Sequence, residues 1–261
     1  MSAKIVEEAG FKGIWASSLT LSASLGMQDN NELSPDAMIH QLDYMNEATS
    51  LPTLVDGDTG YADIKTFERY VRKLEQRGIA GICIEDKIFP KRNSFLQSET
   101  QRLVGIEEFC EKIRAGKEVR KDEDFCVIAR VEAFIVGWGV EEAIRRAEAY
   151  REAGADAVLI HSKEKTSIEI EAFMTEWGNR HPVVIIPTTY SVTPTEHFRE
   201  LGISTVIWAN QLLRASVKAM QATAHAIHES ENAKGVESKI AALAEIFRLQ
   251  GVVEPRNLTL K

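Results

Sequence analysis

The chain has 261 residues and a formal net charge of −8, and its Lys and Arg residues form no cluster. This charge pattern argues against nucleic acid or an anionic membrane as the main partner and favours a small molecule or another protein. No apolar run approaches the ~20 residues that span a bilayer. The first residues also lack the charged and then apolar pattern of a signal peptide, so we expect a cytoplasmic protein.

Short apolar runs alternate with amphipathic helical patterns along the chain. Near-continuous hydrophobicity in such runs is typical of parallel strands that are buried on both faces. Helical patterns such as 64–77 and 140–152 lie between the runs, and no Pro/Gly/Ser-rich linker interrupts the alternation. It predicts one α/β-barrel domain over residues 1–261. The predicted strands are 13–17, 52–56, 80–85, 125–132, 156–161, 183–188 and 204–209.

A glycine follows the predicted helix at four helix-to-strand junctions, and a strand begins within a few residues of it. Glycine is favoured there because helices commonly end on a residue in the left-handed conformation. The recurrence predicts repeats of one supersecondary unit. The four residues are Gly10, Gly78, Gly154 and Gly202.

The pattern supplies seven strands, one fewer than a (β/α)8 TIM-type barrel has. The chain opens on a helical pattern that ends at Gly10, so the first strand of such a barrel would precede residue 1, unless the barrel closes in some other way. Near the C-terminus, 211–230 and 236–249 are predicted helices. No strand follows to cover the apolar face of 236–249, so we expect a partner on that face.

Polar residues stand at the end of every predicted strand, which is where sites form in parallel α/β folds. Any one of them could be a helix cap or a hydrogen-bonded structural group. Their presence at all seven ends predicts a functional site. The set comprises Trp15 to Ser18, Asp56 to Asp58, Glu85 to Lys87, Arg130 to Glu132, His161 and Ser162, Pro187 and Thr188, and Asn210.

Several carboxylates are expected to meet in this site. Asp56, Asp58 and Glu85 end neighbouring strands, and Asp29 can join them from the loop GMQDNNE. Clustered carboxylates repel one another unless a cation lies among them. Oxygen donors without His or Cys favour a hard ion, and Mg²⁺ held partly through water suits the set. The alternative, that Asp58 caps a following helix, remains open.

Cationic groups are expected opposite these carboxylates. Arg130 and His161 end later strands, and Lys91 lies in the basic loop of IEDKIFPKRNS. A metal cation on one side and Arg, His and Lys on the other is an arrangement that binds a phosphorylated carboxylate. Taken alone, His161 is as well explained as a buried structural histidine, and Arg130 as an ion-pair partner of Glu132.

The motifs WASSL, LGMQDNNE, DGDTGY, EDKIFPKRNS, ARVEAFIVGWG, ADAVLIHS and VIWAN occur in this order. Together they resemble the phosphoenolpyruvate mutase family of the isocitrate lyase and phosphoenolpyruvate mutase superfamily. The resemblance covers nearly the whole chain. It implies a barrel whose last helix is swapped between the subunits of a dimer or tetramer. It also implies Mg²⁺ bound mainly by Asp56, with Asp29, Asp58 and Glu85 acting largely through water.

The resemblance further implies the roles of the substrate-contacting residues. Ser17 and the backbone amides of Ser18 and Leu19 would hold the pyruvyl carboxylate, beside Trp15 of the same motif. Arg130, His161 and Asn93 would hold the phosphoryl group. Lys91, Asn93 and Ser94 would lie on a loop that closes over the substrate, which is phosphoenolpyruvate or phosphonopyruvate.

The chain departs from the family pattern near the site. Ser18 stands where glycine is usual, and Thr189 and Gln211-Leu212 replace the expected residues of later loops. The usual first strand is missing. These departures bear on substrate preference and rate more than on reaction class.

Three other functions remain open. A phosphonopyruvate hydrolase usually has Thr where Asn93 stands. A lyase or hydrolase of 2-hydroxy or 2-oxo diacids typically carries a cysteine in a KRCGH-like loop, where this chain has KRNS. An inactive scaffold is disfavoured by the complete set of Asp56, Asp58, Glu85, Arg130 and His161.

Overall fold

The computed structural model describes residues 1–94 and 100–252. Seven strands form one sheet in the sequential order β1 to β7, and every neighbouring pair is parallel. All seven predicted strands are confirmed. The strands are β1 (Ile14–Ala16), β2 (Thr53–Asp56), β3 (Gly81–Glu85), β4 (Cys126–Val131), β5 (Ala157–Ile160), β6 (Val183–Ile185) and β7 (Thr205–Val206).

Helices alternate with the strands, as the sequence predicts. Their ends follow local rules: Ser34 caps α3 by accepting from the Ala37 amide, Pro35 occupies the first turn of α3, and Asp63 caps α4 by accepting from the Thr66 amide. The helices are α1 (Ser2–Glu8), α2 (Ser18–Ser24), α3 (Pro35–Glu47), α4 (Ile64–Glu75), α5 (Ile106–Val119), α6 (Gly139–Glu152), α7 (Ile168–Trp177), α8 (Thr195–Glu200), α9 (Gln211–Ser230) and α10 (Leu243–Gln250).

The core explains why the strands are hydrophobic throughout. In β5, Val158 and Ile160 belong to the large cluster that includes the helices, whereas Ala157 and Leu159 belong to a smaller cluster formed by strand residues. Alternate residues of a strand point to opposite faces, so both faces of this sheet are buried. The structure is therefore a (β/α) barrel-type fold with seven strands, and β1 and β7 are its two edges.

The four junction glycines have the predicted conformation. Gly10, Gly78, Gly154 and Gly202 have φ values between +69° and +98°, in the left-handed region that other residues rarely adopt. Each follows a helix and precedes a strand. The repeated βα unit is thus confirmed at the level of the backbone.

The predicted helix 236–249 is wrong at its start. A 3-10 turn spans Glu237–Lys239, the backbone at Ile240 is extended, and α10 begins at Leu243. This break separates Val236 from the apolar residues of α10, which the sequence pattern places on one helical face. Val236 is buried at the start of the turn. α10 contacts α1 of the same chain, where Lys4 Nζ donates to the Leu249 carbonyl at 2.7 Å.

Apolar side chains of α9 and α10 remain exposed in the single chain. Met220 is 61% exposed and Leu243 is 72% exposed. The swapped packing of the C-terminal helix stays a prediction. Within the described residues, no helix combines the length and the apolar character that a bilayer span requires.

Candidate active site

A cavity of ≈ 60 Å³ lies at the carboxyl ends of the strands and brings together most of the predicted site residues. Ser18 and Asp58 do not line it, but both contact residues that do. Lys87, Arg92, Ile186, Thr188, Ala209 and Asn210 complete the lining. The predicted residues that line it are Trp15, Ser17, Leu19, Asp29, Asp56, Glu85, Lys91, Asn93, Ser94, Arg130 and His161.

The Asp-Gly-Asp turn after β2 places two carboxylates against β3. Gly57 donates its amide to the Cys83 carbonyl at 2.8 Å, and the Asp58 carbonyl accepts from the Glu85 amide at 2.7 Å. A side chain at Gly57 would meet the Ile82 side chain at 2.5 Å. Any side chain between Asp56 and Asp58 would therefore displace Ile82, because the turn approaches the neighbouring strand so closely.

Lys91 places its ammonium group among the carboxylates. Its Nζ lies 2.7 Å from Asp29 Oδ1, 2.5 Å from Asp58 Oδ1 and 2.8 Å from Ser18 Oγ. Burial alone would lower the pKa of Lys91, but the charges of Asp58, Asp56, Glu85 and Asp29 outweigh it and raise that pKa. The lysine is therefore charged and neutralises part of the acidic cluster.

Two of the carboxyl groups titrate well above their ordinary range. Burial raises the pKa of Asp58 to about 6 and that of Glu85 to about 7, against the opposing charges of Lys91 and Lys87 respectively. A further cation beside these carboxyl groups would lower their pKa values and stabilise their ionised forms.

The donor set fits a hydrated hard cation. Asp29 Oδ1 and Asp58 Oδ1 are buried and contact the Lys91 ammonium, whereas Glu85 Oε1 is buried 3.8 Å from Lys87 Nζ and accepts no hydrogen bond in the described part of the chain. Among residues 1–94 and 100–252, no three His, Cys, Asp or Glu side chains are grouped closely enough to ligate one ion directly. Mg²⁺ usually keeps several water ligands and uses only one or two carboxylates, so its requirements match this arrangement.

Glu132 does not line the cavity but contacts three basic side chains that do. Its carboxylate is fully buried and lies 2.5 Å from Arg130 Nε, 3.1 Å from Lys87 Nζ and 2.8 Å from His161 Nδ1. Ser94 Oγ donates to it at 2.9 Å. Burial opposes ionisation, but Arg130, Lys87 and His161 outweigh it and hold the pKa of Glu132 well below its usual value. One ionised carboxylate thus orients four side chains of the site.

His161 is neutral in this environment. Burial, followed by the charge of Arg130, lowers the pKa of His161 from 6.5 to about 4. Its Nδ1 lies 2.8 Å from both Glu132 Oε1 and Arg130 Nη2. Because an ionised carboxylate only accepts, the tautomer with the proton on Nδ1 is the one that satisfies Glu132.

The loop formed by residues 88–94 is docked onto the cavity by hydrogen bonds. The Lys91 amide donates to Asn31 Oδ1 at 2.8 Å, and Asn31 Nδ2 donates to Asp58 Oδ2 at 2.9 Å. Asn93 Nδ2 approaches Asp29 Oδ2 at 3.4 Å. Lys91 and Ser94 are buried beneath the loop backbone.

Sequence reasoning named Glu132 only as an alternative ion-pair partner of Arg130, a contact that the structure contains at 2.5 Å, and assigned no role to Lys87 or Asn31. Glu132 and Lys87 were visible as polar strand ends, and Asn31 is two residues from Asp29 in the same motif. A buried network behind the site was also missed: Asp86 Oδ1 accepts from the Glu132 amide at 3.0 Å, and Asp86 Oδ2 accepts from Arg146 at 2.9 Å. The Asp86 carboxylate therefore fixes the backbone that carries Glu132.

The chain is similar to proteins of known function over most of its length. The family model described as phosphoenolpyruvate phosphomutase matches residues 1–228. A phosphoenolpyruvate phosphomutase of Tetrahymena pyriformis is 57% identical over 251 residues, which cover 96% of this chain and 84% of the relative.

Solved structures of the same group share the fold. The phosphoenolpyruvate phosphomutase from Streptomyces platensis subsp. rosaceus matches with a TM-score of 0.93 at 42% identity, covering 95% of this chain and 86% of the other. A phosphonopyruvate hydrolase in complex with oxalate and Mg²⁺ matches with a TM-score of 0.90 at 41% identity, covering 96% and 86%.

Proposed function

Since the chain belongs to the phosphoenolpyruvate phosphomutase family, we propose that it is an isomerase that interconverts phosphoenolpyruvate and 3-phosphonopyruvate. The reaction moves a phosphoryl group from the enol oxygen to C3 of the same molecule. The P–O bond breaks with its electrons left on oxygen, and the C3 of the resulting pyruvate enolate then forms a bond to phosphorus.

Arg130, His161 and Asn93 hold the phosphoryl group in this proposal. Ser17, Trp15 and the backbone amides of Ser18 and Leu19 hold the pyruvyl end. Support comes from the position of all of these residues except Ser18 around one cavity, with Glu132 orienting both Arg130 and His161. Donors that are fixed before the substrate binds stabilise the developing charge without reorganising.

Asn93 has a separate role, because the phosphoryl fragment must react with the enolate and not with water. Its side-chain amide can donate to the fragment and is not a nucleophile. The buried Lys91 and Ser94 of the same loop support a closed cover over the substrate, which excludes water during transfer.

We propose Mg²⁺ as the cofactor, held mainly by Asp56, with Asp29, Asp58 and Glu85 acting largely through water. When bound, it would supply positive charge that stabilises the enolate oxygen. The buried carboxyl groups of Asp58 and Glu85, whose raised pKa values a bound cation would lower, support this choice. The Mg²⁺ of the phosphonopyruvate hydrolase complex supports it as well.

The observation that carries the proposal is the cavity itself, whose lining combines Arg130 and His161, both in contact with the buried Glu132, with the carboxylates Asp29, Asp56 and Glu85 and the uncharged Asn93. The test is turnover of phosphonopyruvate, followed as phosphoenolpyruvate with pyruvate kinase and, in a parallel sample, as free phosphate. We expect phosphoenolpyruvate. Free phosphate alone would assign a hydrolase, the alternative that the match to the phosphonopyruvate hydrolase structure keeps open.

We also propose that the protein works as a homo-oligomer, a dimer or tetramer, in which a neighbouring subunit covers the exposed apolar side chains of α9 and α10. Exposed apolar surface of this kind is typical of an interface. Sedimentation velocity should show a species larger than the monomer, and a stable monomer at micromolar concentration would contradict the proposal.

A further inference from the structure

Ser18 connects two parts of the site through one hydroxyl group. The side chain is 1% exposed, and its Oγ lies 3.0 Å from Asp56 Oδ2 and 2.8 Å from Lys91 Nζ. A carboxylate only accepts and an ammonium only donates. The hydroxyl therefore donates its proton to Asp56 and accepts from Lys91, so its orientation is fixed by its two neighbours.

The contact with Ser18 differs from the other contacts of Lys91. The ammonium forms ion pairs with Asp29 Oδ1 at 2.7 Å and Asp58 Oδ1 at 2.5 Å, whereas Ser18 Oγ is a neutral acceptor at 2.8 Å. Charge therefore attracts Lys91 into the acidic cluster, and the Ser18 hydroxyl links the lysine to the Asp56 carboxylate.

Ser18 also fixes one oxygen of Asp56. Its hydroxyl and its backbone amide both donate to Asp56 Oδ2, the amide at 3.3 Å. A carboxylate oxygen that accepts two hydrogen bonds is a poorer ligand than a free one, so Oδ1 is left as the oxygen for a cation. The amide of Ser18 is thus directed at the cation side of the site in this structure.

We propose that Ser18 is a positioning residue that couples the 88–94 loop to the cation carboxylate Asp56. The coupling rests on the proposed function in one respect, the cation at Asp56. Through the hydroxyl, docking of Lys91 and the orientation of Asp56 depend on each other. Loss of the hydroxyl would loosen the loop and free the Asp56 carboxylate to rotate.

The loop can be tested with limited trypsin digestion in EDTA, because Lys91 and Arg92 are potential cleavage sites. Ser18→Ala should increase the rate of cleavage after these residues about tenfold, the effect of losing one hydrogen bond to a charged group. Cleavage after the exposed Lys121 serves as the internal reference. The matched control is Ser22→Ala, which removes another buried serine hydroxyl from α2.

The cation side can be tested by titrating Mn²⁺ into the protein without substrate and following free Mn²⁺ by electron paramagnetic resonance. Ser18→Ala should weaken binding about tenfold, Ser18→Thr should restore it because the hydroxyl returns, and Ser22→Ala should bind as the wild type does. Wild-type cleavage or wild-type Mn²⁺ affinity in Ser18→Ala, or equal changes in Ser22→Ala, would overturn the proposal. Neither measurement needs turnover, so a failure of the mutase assignment would be seen separately.

Discussion

Replacing Glu132 by Gln should destabilise the protein and disable its site at the same time. The change keeps the shape of the side chain and removes its charge. Above pH 7, where Glu85 with its pKa of about 7 is mostly ionised, the carboxylates of Glu85 and Glu132 face the cations Lys87 and Arg130, two negative groups against two positive ones. In Glu132→Gln, only Glu85 of these two carboxylates remains, with its oxygens 3.8 Å from Lys87 Nζ and 3.5 Å from Arg130 Nε.

The size of the effect follows from the burial of the cluster. Glu132 is 0% exposed, and removing one partner of a buried ion pair costs about 3–5 kcal/mol. A glutamine can still accept one hydrogen bond, so we expect a loss near the lower limit, about 3 kcal/mol in the free energy of unfolding. Because Arg130 and His161 lose the negative charge of their common acceptor, kcat should fall about a hundredfold.

Urea unfolding followed by circular dichroism measures the loss, and Glu148→Gln is the control. Glu148 pairs with Arg151 at 2.6 Å, but its side chain is 34% exposed, and such surface pairs contribute about 1 kcal/mol or less. Adding Lys87→Met to Glu132→Gln restores the charge balance and should recover about 1–2 kcal/mol. A Glu132→Gln protein as stable as Glu148→Gln, or no recovery in the double variant, would refute the reasoning.

Three further outcomes are expected. Asp56→Ala should abolish turnover and Mg²⁺ binding while the circular dichroism spectrum is retained, whereas full turnover of the wild type in excess EDTA would contradict the cation site. Because the pKa of His161 is lowered from 6.5 to about 4, the unfolded state binds more protons between these values. The free energy of unfolding should therefore fall as the pH decreases from 6.5 to 4, by up to about 3 kcal/mol. His161→Gln should remove this contribution to the dependence of the free energy on pH, as measured by urea unfolding. An unchanged pH dependence in the variant would argue against a neutral His161. Asn93→Thr should lose about a hundredfold in mutase rate and release some phosphate from phosphonopyruvate, as phosphorus assays would show; a wild-type mutase rate would mean that Asn93 does not touch the phosphoryl group.

The strands were predictable because buried parallel strands leave a local signal. Both faces of β5 pack against apolar side chains, so all of its residues must be hydrophobic. His161 directly follows β5 and therefore lies at the carboxyl ends of the strands, where sites form. The clustering of Asp56 and Glu85 follows from the same rule, since β2 and β3 are neighbours in the sheet.

The pair of Arg130 and Glu132 is local and was offered by the sequence, but the contact of Glu132 with Ser94 and that of Ser18 with Lys91 were not predictable, because they depend on distances between elements far apart in sequence. Glu132 meets Ser94, 38 residues before it, and Ser18 meets Lys91, 73 residues after it. No periodicity encodes such a pair. The start of α10 was missed for a different reason: the apolar spacing of 236–249 is helical, but the backbone between the 3-10 turn and Leu243 is extended.

Phosphorus NMR of phosphonopyruvate incubated with the enzyme and Mg²⁺ tests the central claim most directly, because it observes the carbon-bonded and oxygen-bonded phosphorus in one sample. The account predicts that the phosphonate signal is replaced by that of phosphoenolpyruvate, that the conversion stops in EDTA, and that inorganic phosphate does not accumulate. Accumulation of inorganic phosphate without a phosphoenolpyruvate signal would contradict it.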